Sequence, residues 1–175
     1  MNHIMLDIET MGVSTNAAIM SIGACYFDPA TGEIGDTFHE QVDISSNGHI
    51  DAPTVLWWMK QSDEARAKFA NNDKAEPIKR VLAMFTLFVK PDSQVWGNGI
   101  AFDNVIVRNA YSGAPPWKYW NDRDVRTIVE LGKVIGIDPK RDVPFDGVKH
   151  DALADAIHQA KYVSVIWQAL TGPYL

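Results

Sequence analysis

The chain has little of what several protein classes are built from. It has one cysteine, Cys25, in 175 residues. No intrachain disulfide and no multi-cysteine zinc site can form, and the expected compartment is a reducing one, the cytoplasm. Its longest apolar run, Val81 to Val89, is interrupted by Thr86. That is far short of the roughly 18–20 residues that span a bilayer. The N-terminus, Met1-Asn2-His3-Ile4-Met5-Leu6-Asp7, has no basic segment and meets a carboxylate at once. It does not read as a signal peptide, and no membrane partner is expected. Basic residues are scarce early on: residues 1–64 carry ten acidic side chains and one basic, Lys60, while residues 65–175 carry 12 acidic and 15 basic. A net charge of −6 excludes a broad basic face gripping duplex phosphates. It leaves open an enzyme that meets phosphates through bound metal ions, whose charge counts in the site. Without repeats or a separating linker, one domain over residues 1–175 is expected.

Patterning supplies the elements. His3 to Glu9 reads as a buried strand that ends in acid, Ala17 to Phe27 as a second strand, and Glu33 to Val42 as a third, after the turn Asp28-Pro29-Ala30-Thr31-Gly32. Asp51-Ala52-Pro53 marks a helix start. Val55, Trp58, Met59 and Ser62 follow at helical spacing, and Ala65, Lys68 and Phe69 continue it. A second helix is predicted over Lys74–Val89, stopped by Pro91, with Ile78, Val81, Leu82 and Phe85 as its stripe. Ser93–Gly97 is a short strand, Phe102–Tyr111 a helix, 112–122 a loop, and Asp124–Ile135 a strand or turn and then a helix. An irregular loop, 136–149, leads to a last helix from about His150 to Leu170, with Leu153, Ile157, Ala160, Ser164 and Trp167 on one face. A hairpin followed by alternating strands and helices makes an α/β domain on a mixed sheet.

Three segments carry chemistry. Asp7 and Glu9 alternate on a strand, so both side chains emerge on one face, roughly 6–7 Å apart at Cα. Such a pair suits a hard divalent cation, Mg2+ or Mn2+; it also fits a strand running into a solvated loop. Asp103 follows the glycine turn Gly97-Asn98-Gly99 into a helix, where it either faces the strand ends or merely favours the helix dipole. Asp155 lies in a helix among alanines, five residues after His150. The pair meets only if His150 belongs to the entering loop. Otherwise Asp151 caps the helix, Asp155 is solvated, His150 is exposed, and His158, close to Asp155, competes as the histidine of interest.

Taken together, the sequence resembles the DEDDh 3′–5′ exonucleases, the RNase H-like superfamily that includes RNase T, oligoribonuclease and the proofreading subunit of bacterial DNA polymerase. The matching segments are Asp7-Ile8-Glu9-Thr10, then Asn98-Gly99-Ile100-Ala101-Phe102-Asp103, then His150-Asp151-Ala152-Leu153-Ala154-Asp155 in the pattern His-x-Ala-x-x-Asp. Ile19 to Ala24 is similar to the family's second strand. Trp57-Trp58-Met59-Lys60-Gln61 resembles a compact branch found in phages and bacteria, some members of which are described as exoribonucleases. The Pro- and Trp-rich loop 112–122 departs from the common pattern.

The resemblance implies an RNase H-like fold and a two-metal phosphodiesterase. Asp7, Glu9, Asp103 and Asp155 would hold two Mg2+ or Mn2+ ions, with His150 as general base, releasing nucleoside 5′-monophosphates from the 3′ end of single-stranded RNA or DNA. RNA is favoured slightly. For substrate grip, Trp57, Trp58 and Phe102 are stacking candidates, and Thr10, Met11 and Gly12 could offer backbone groups to the terminal sugar. Adjacent helical tryptophans diverge by about 100°, so one belongs to the core and one to the cleft. Lys149, Arg123 and Arg126 either meet phosphate or lie on a solvated surface. A homodimer would add basic surface in trans. Two rivals stand: a catalytically silent RNase H-like nucleic-acid-binding module, and a hydrolase of dinucleotides or small phosphodiesters.

Overall fold

Alternation along the first strand decides where the rest of the chain packs. β1 (His3–Thr10) sends Ile4, Leu6 and Ile8 into one apolar cluster and Met5 into another. A period of two puts these on opposite faces and leaves Asp7 and Glu9 on the Met5 side. In the computed structural model, which describes residues 1–70 and 72–172, β1 is followed by β2 (Ile19–Phe27), β3 (Ile34–Gln41), β4 (Gln94–Gly97) and β5 (Asp122–Asp124). They form a mixed sheet of order β3-β2-β1-β4-β5. The first three strands are antiparallel, as the hairpin signals predict, and β4 and β5 join parallel. This is the expected RNase H-like arrangement. β2 is buried along its whole length, as a strand covered on both faces must be.

The helices are α1 (Ala52–Trp58), α2 (Asp63–Ala70), α3 (Ile78–Phe88), α4 (Asp103–Ala110), α5 (Val125–Val134), α6 (Pro139–Asp142) and α7 (Ala152–Thr171). Ile78, Val81, Leu82 and Phe85 of α3, with Ile106 and Val107 of α4, cover the Leu6 face. Val125 and Ile128 of α5, with Ala156, Ala160, Val163 and Ile166 of α7, cover the Met5 face. None of the described helices is long and apolar enough to cross a membrane.

Four expectations need correction. The first helix does not run on through Ser62: it ends at Trp58, and the Ser62 hydroxyl accepts from the Ala65 N–H at 3.3 Å to start α2. Serine prefers a cap to a helix interior. Met59 is accordingly exposed, and the side chains of Lys68 and Phe69 lie outside the described residues. The second helix starts at Ile78 instead of Lys74, because Pro77 can precede a helix but not sit inside one. The loop 136–149 contains the short α6. On α7 the fully buried positions include Ala152, Ala156 and Ala160, while Leu153 and Ile157 are only half-buried. The cause is Gly23 of β2, where a Cβ would stand 2.2 Å from the Ala152 carbonyl carbon. Only small residues tolerate so close an approach.

Candidate active site

β4 stops at Gly97, opposite Leu6, while β1 continues to Thr10 beside β2. The end of β1 therefore has an open flank. Asp103, the first residue of α4, occupies that flank and is buried. On the Met5 face α7 passes close over β2 and presents Asp155 and, one turn later, Gln159. Four-residue spacing puts these two on one side of the helix. The Gln159 amide donates to Asp7 Oδ1 at 2.8 Å. Asp7, Glu9, Asn98, Phe102, Asp103, His150, Asp155 and Gln159 line a common cleft of about 270 Å³.

Asp7, Glu9 and Asp155 each offer a carboxylate oxygen within 4.8 Å of the others. Asp103 stands outside that trio but lines the same cleft, and its charge acts on Asp7. Burial first, and then Asp103, Glu9 and Asp155, push the Asp7 carboxyl far above the ordinary range, against the Gln159 hydrogen bond. Burial pushes Asp103 up to about 7, against the backbone N–H groups of Ile8, Asp103 and Asn98 and the Arg126 charge. Asp155 is raised by burial, opposed chiefly by His150. Tyr162, buried beneath the cluster, is raised by burial and then by the Asp7 and Asp155 charges. These acids crowd at a cost that a divalent cation offsets. The all-oxygen donor set fits Mg2+ or Mn2+, and the Gln159 Oε1, buried with no partner in the structure, also points to an absent ligand or water.

His150 sits in the loop that enters α7, in the left-handed region at φ 61°. A non-glycine residue held there is strained, a condition concentrated at functional positions. Asp151 caps the helix, accepting from the Ala154 N–H at 2.9 Å. The imidazole packs edge-on against Trp57 at 5.0 Å and Trp58 at 5.9 Å between ring centroids. His158 does not line the cleft; its ring lies against Phe145 and Tyr162, and burial lowers its pKa.

Beside the acids opens a larger apolar cleft of about 690 Å³, lined by Ile8, Glu9, Thr10, Gly12, Trp57, Trp58 and Phe102, among others. The tryptophans divide: Trp58 is 4% exposed and its indole donates to the Thr10 carbonyl at 2.9 Å, while Trp57 is 43% exposed on the cleft wall. Met11 is not on that wall. Its N–H donates to the Ala18 carbonyl and its C=O accepts from the Asp51 N–H. Arg126 Nε donates to the Asn98 carbonyl at 3.1 Å, next to the acids. Arg123 binds the Trp120 and Asp122 carbonyls away from the cleft, and Lys149 is exposed. Sequence reading missed Gln159, which shares a side of α7 with Asp155 but whose residue type gives no signal of its own. It also missed the cleft-wall residues Val13, Asp51, Pro53 and Thr54.

A family model described as the 3'-5' exoribonuclease Rv2179c-like domain matches residues 2–167. The chain belongs to this family. An exodeoxyribonuclease of Enterobacteria phage T4 is 30% identical over 188 aligned residues, covering 86% of this chain and 82% of that protein. The protein is thus a 3′–5′ exonuclease of nucleic acids and a hydrolase. Solved structures agree on the fold. Exonuclease I of E. coli in complex with a 5cy-dA13 oligonucleotide superposes with a TM-score of 0.67 at 19% identity, over 96% of this chain and 42% of that one. The nuclease domain of 3'hExo, a DEDDh family member bound to rAMP, gives 0.58 at 15% identity, over 97% and 92%. Cell-death related nuclease 4 gives 0.64 at 13% identity, over 97% and 64%. This chain spans less than half the length of exonuclease I and about two thirds of that of the cell-death nuclease.

Proposed function

We propose that residues 1–175 act as one exonuclease domain that removes nucleoside 5′-monophosphates from the 3′ end of single strands, RNA in slight preference to DNA. The observation that carries this reading is the convergence of Asp7, Glu9 and Asp155 within 4.8 Å, beside His150 and at the mouth of an aromatic-walled cleft. Asp7, Glu9, Asp103 and Asp155 would hold two Mg2+ or Mn2+ ions. Such ions supply a more acidic water and offset charge on the phosphate and the leaving oxygen. His150 accepts the proton of the attacking water as the bond from phosphorus to the 3′ oxygen breaks. Trp57 and Phe102 hold the unpaired terminal base, at a gain of about 1–3 kcal/mol for a stacked base.

Matched 5′-labelled RNA and DNA strands, and a dinucleotide, digested with Mg2+, Mn2+ or EDTA test this reading. A ladder shortening from the 3′ end with either ion, and none in EDTA, is expected, with RNA cut faster. The RNA preference is supported by the description of the matching family as exoribonuclease, and a contact to the 2′-hydroxyl would have to carry it; faster cutting of DNA reverses it. Rapid cleavage of the dinucleotide with no cutting of longer strands favours the small-diester hydrolase.

A further inference from the structure

We propose that Gln159 is the positioning residue for the cation-holding carboxylate of Asp7, an inference that rests on the metal-site reading above. Three observations carry it. Asp7 is half-buried, and its Oδ1 accepts from Gln159 Nε2 at 2.8 Å across 152 residues of sequence. A carboxylate oxygen tied in this way cannot rotate freely, so the bond fixes the carboxylate that lies within 4.8 Å of the Glu9 and Asp155 ligand oxygens. Gln159 is 5% exposed and is carried on a long helix anchored over Gly23, so the donor itself is fixed. Its Oε1 is buried without a donor. A purely structural amide would have both halves satisfied, because an unmet buried acceptor is costly.

The residue type matters. A lysine or arginine at this place would tie Asp7 equally well but would set a full positive charge against the cation. A neutral amide donor orients the carboxylate and leaves its charge for the metal. Partners that orient ligating groups in this way typically change metal affinity about 10–100-fold when removed.

The test is calorimetric titration of Mn2+ into the full chain, wild type against Gln159→Leu and Gln159→Met, with melting in EDTA measured alongside. Leucine and methionine keep the volume and helix preference, and methionine's flexible chain covers the case in which leucine does not fit. The expected result is Mn2+ binding about tenfold weaker or worse in the folded variants, with melting in EDTA unchanged or higher because the unmet acceptor is gone. With saturating Mn2+, part of the lost rate returns in kcat while KM for the strand stays level. Wild-type binding of Mn2+ matched within twofold by either folded variant overturns the role of Gln159 and leaves the metal site standing. Absence of Mn2+ binding by the wild type overturns both.

Discussion

The two faces of β1 are made from one eight-residue strand and do opposite work. Toward α3 and α4, Ile4, Leu6 and Ile8 are almost wholly buried among apolar neighbours. Toward α7, Met5 is followed by the half-buried Asp7 and the buried Glu9, beside Asp155 and near Asp103. The first face is what a folding chain favours. The second is what it tolerates: an Asp7 carboxyl pushed far above its ordinary range by burial and then by Asp103, Glu9 and Asp155. The difference assigns the faces, one to stability and one to chemistry, because crowding acids without a ligand destabilises a fold.

The sharpest way to break this comparison is to cut each face in turn. Asp7→Ala should abolish cleavage while leaving the metal-free protein at least as stable as wild type, since it removes a disfavoured charge. Leu6→Ala, a residue with no exposed surface, should cost about 2–5 kcal/mol of stability by leaving a cavity. Where it is still folded it should keep its turnover. Chemical denaturation together with a strand-cleavage assay reads both. If Asp7→Ala destabilises as much as Leu6→Ala, the acid face is part of the core and the division is wrong.

A smaller effect is expected at the histidines. His150→Ala should lower the rate about 10²–10⁴-fold, the usual range for a lost general base, with Mn2+ binding retained. His158→Ala should be mild, because that ring lies against Phe145 and Tyr162 and not in the acid cleft. Steady-state rates of the two variants decide it. A damaging His158→Ala with a mild His150→Ala would move the base to the other side of α7.

How far the sequence could be read follows the same division. Period-two alternation puts Asp7 and Glu9 on one face of β1 and the glycine turn after β4 leads into Asp103, but it is the resemblance to the exonuclease motifs that joins them with His150 and Asp155 into one site. The buried face of α7 is harder. Leu153 and Ile157 outrank Ala152 and Ala156 in hydropathy, yet the alanines face the sheet, and the reason is on another strand, at Gly23. Trp57 and Trp58 show the same limit: their divergence is a property of the helix, but which one points inward depends on where Thr10 offers a carbonyl. Gln159 carries no signal by residue type, since a glutamine one turn past an acid looks like any solvated residue until Asp7 is found against it. What escapes a single sequence is the phase of each helix about its axis, which distant partners set.

The gentlest test is pH. Burial pushes the Asp103 carboxyl up to about 7 in the folded chain, against 3.8 as its ordinary value. Between roughly pH 4 and 7 the native state therefore holds a proton that the unfolded state has lost. Stability from this group is full below the lower value and falls by about 1.4 kcal/mol per pH unit as pH rises toward the upper one. Asp7 acts in the same sense. His3 and His158, both lowered by burial, act in the opposite sense and only below about 6.5, so wild type must be compared with Asp103→Asn, which keeps the histidines. Unfolding free energies from pH 5 to 7.5 should show the wild type losing ground to the variant as pH rises. Saturating Mn2+ should remove that loss, because cations and protons compete for the same oxygens. A wild type that gains on Asp103→Asn with rising pH in EDTA would mean that the acid face is already satisfied without a cation, and the contrast between the two sides of β1 would have to be redrawn.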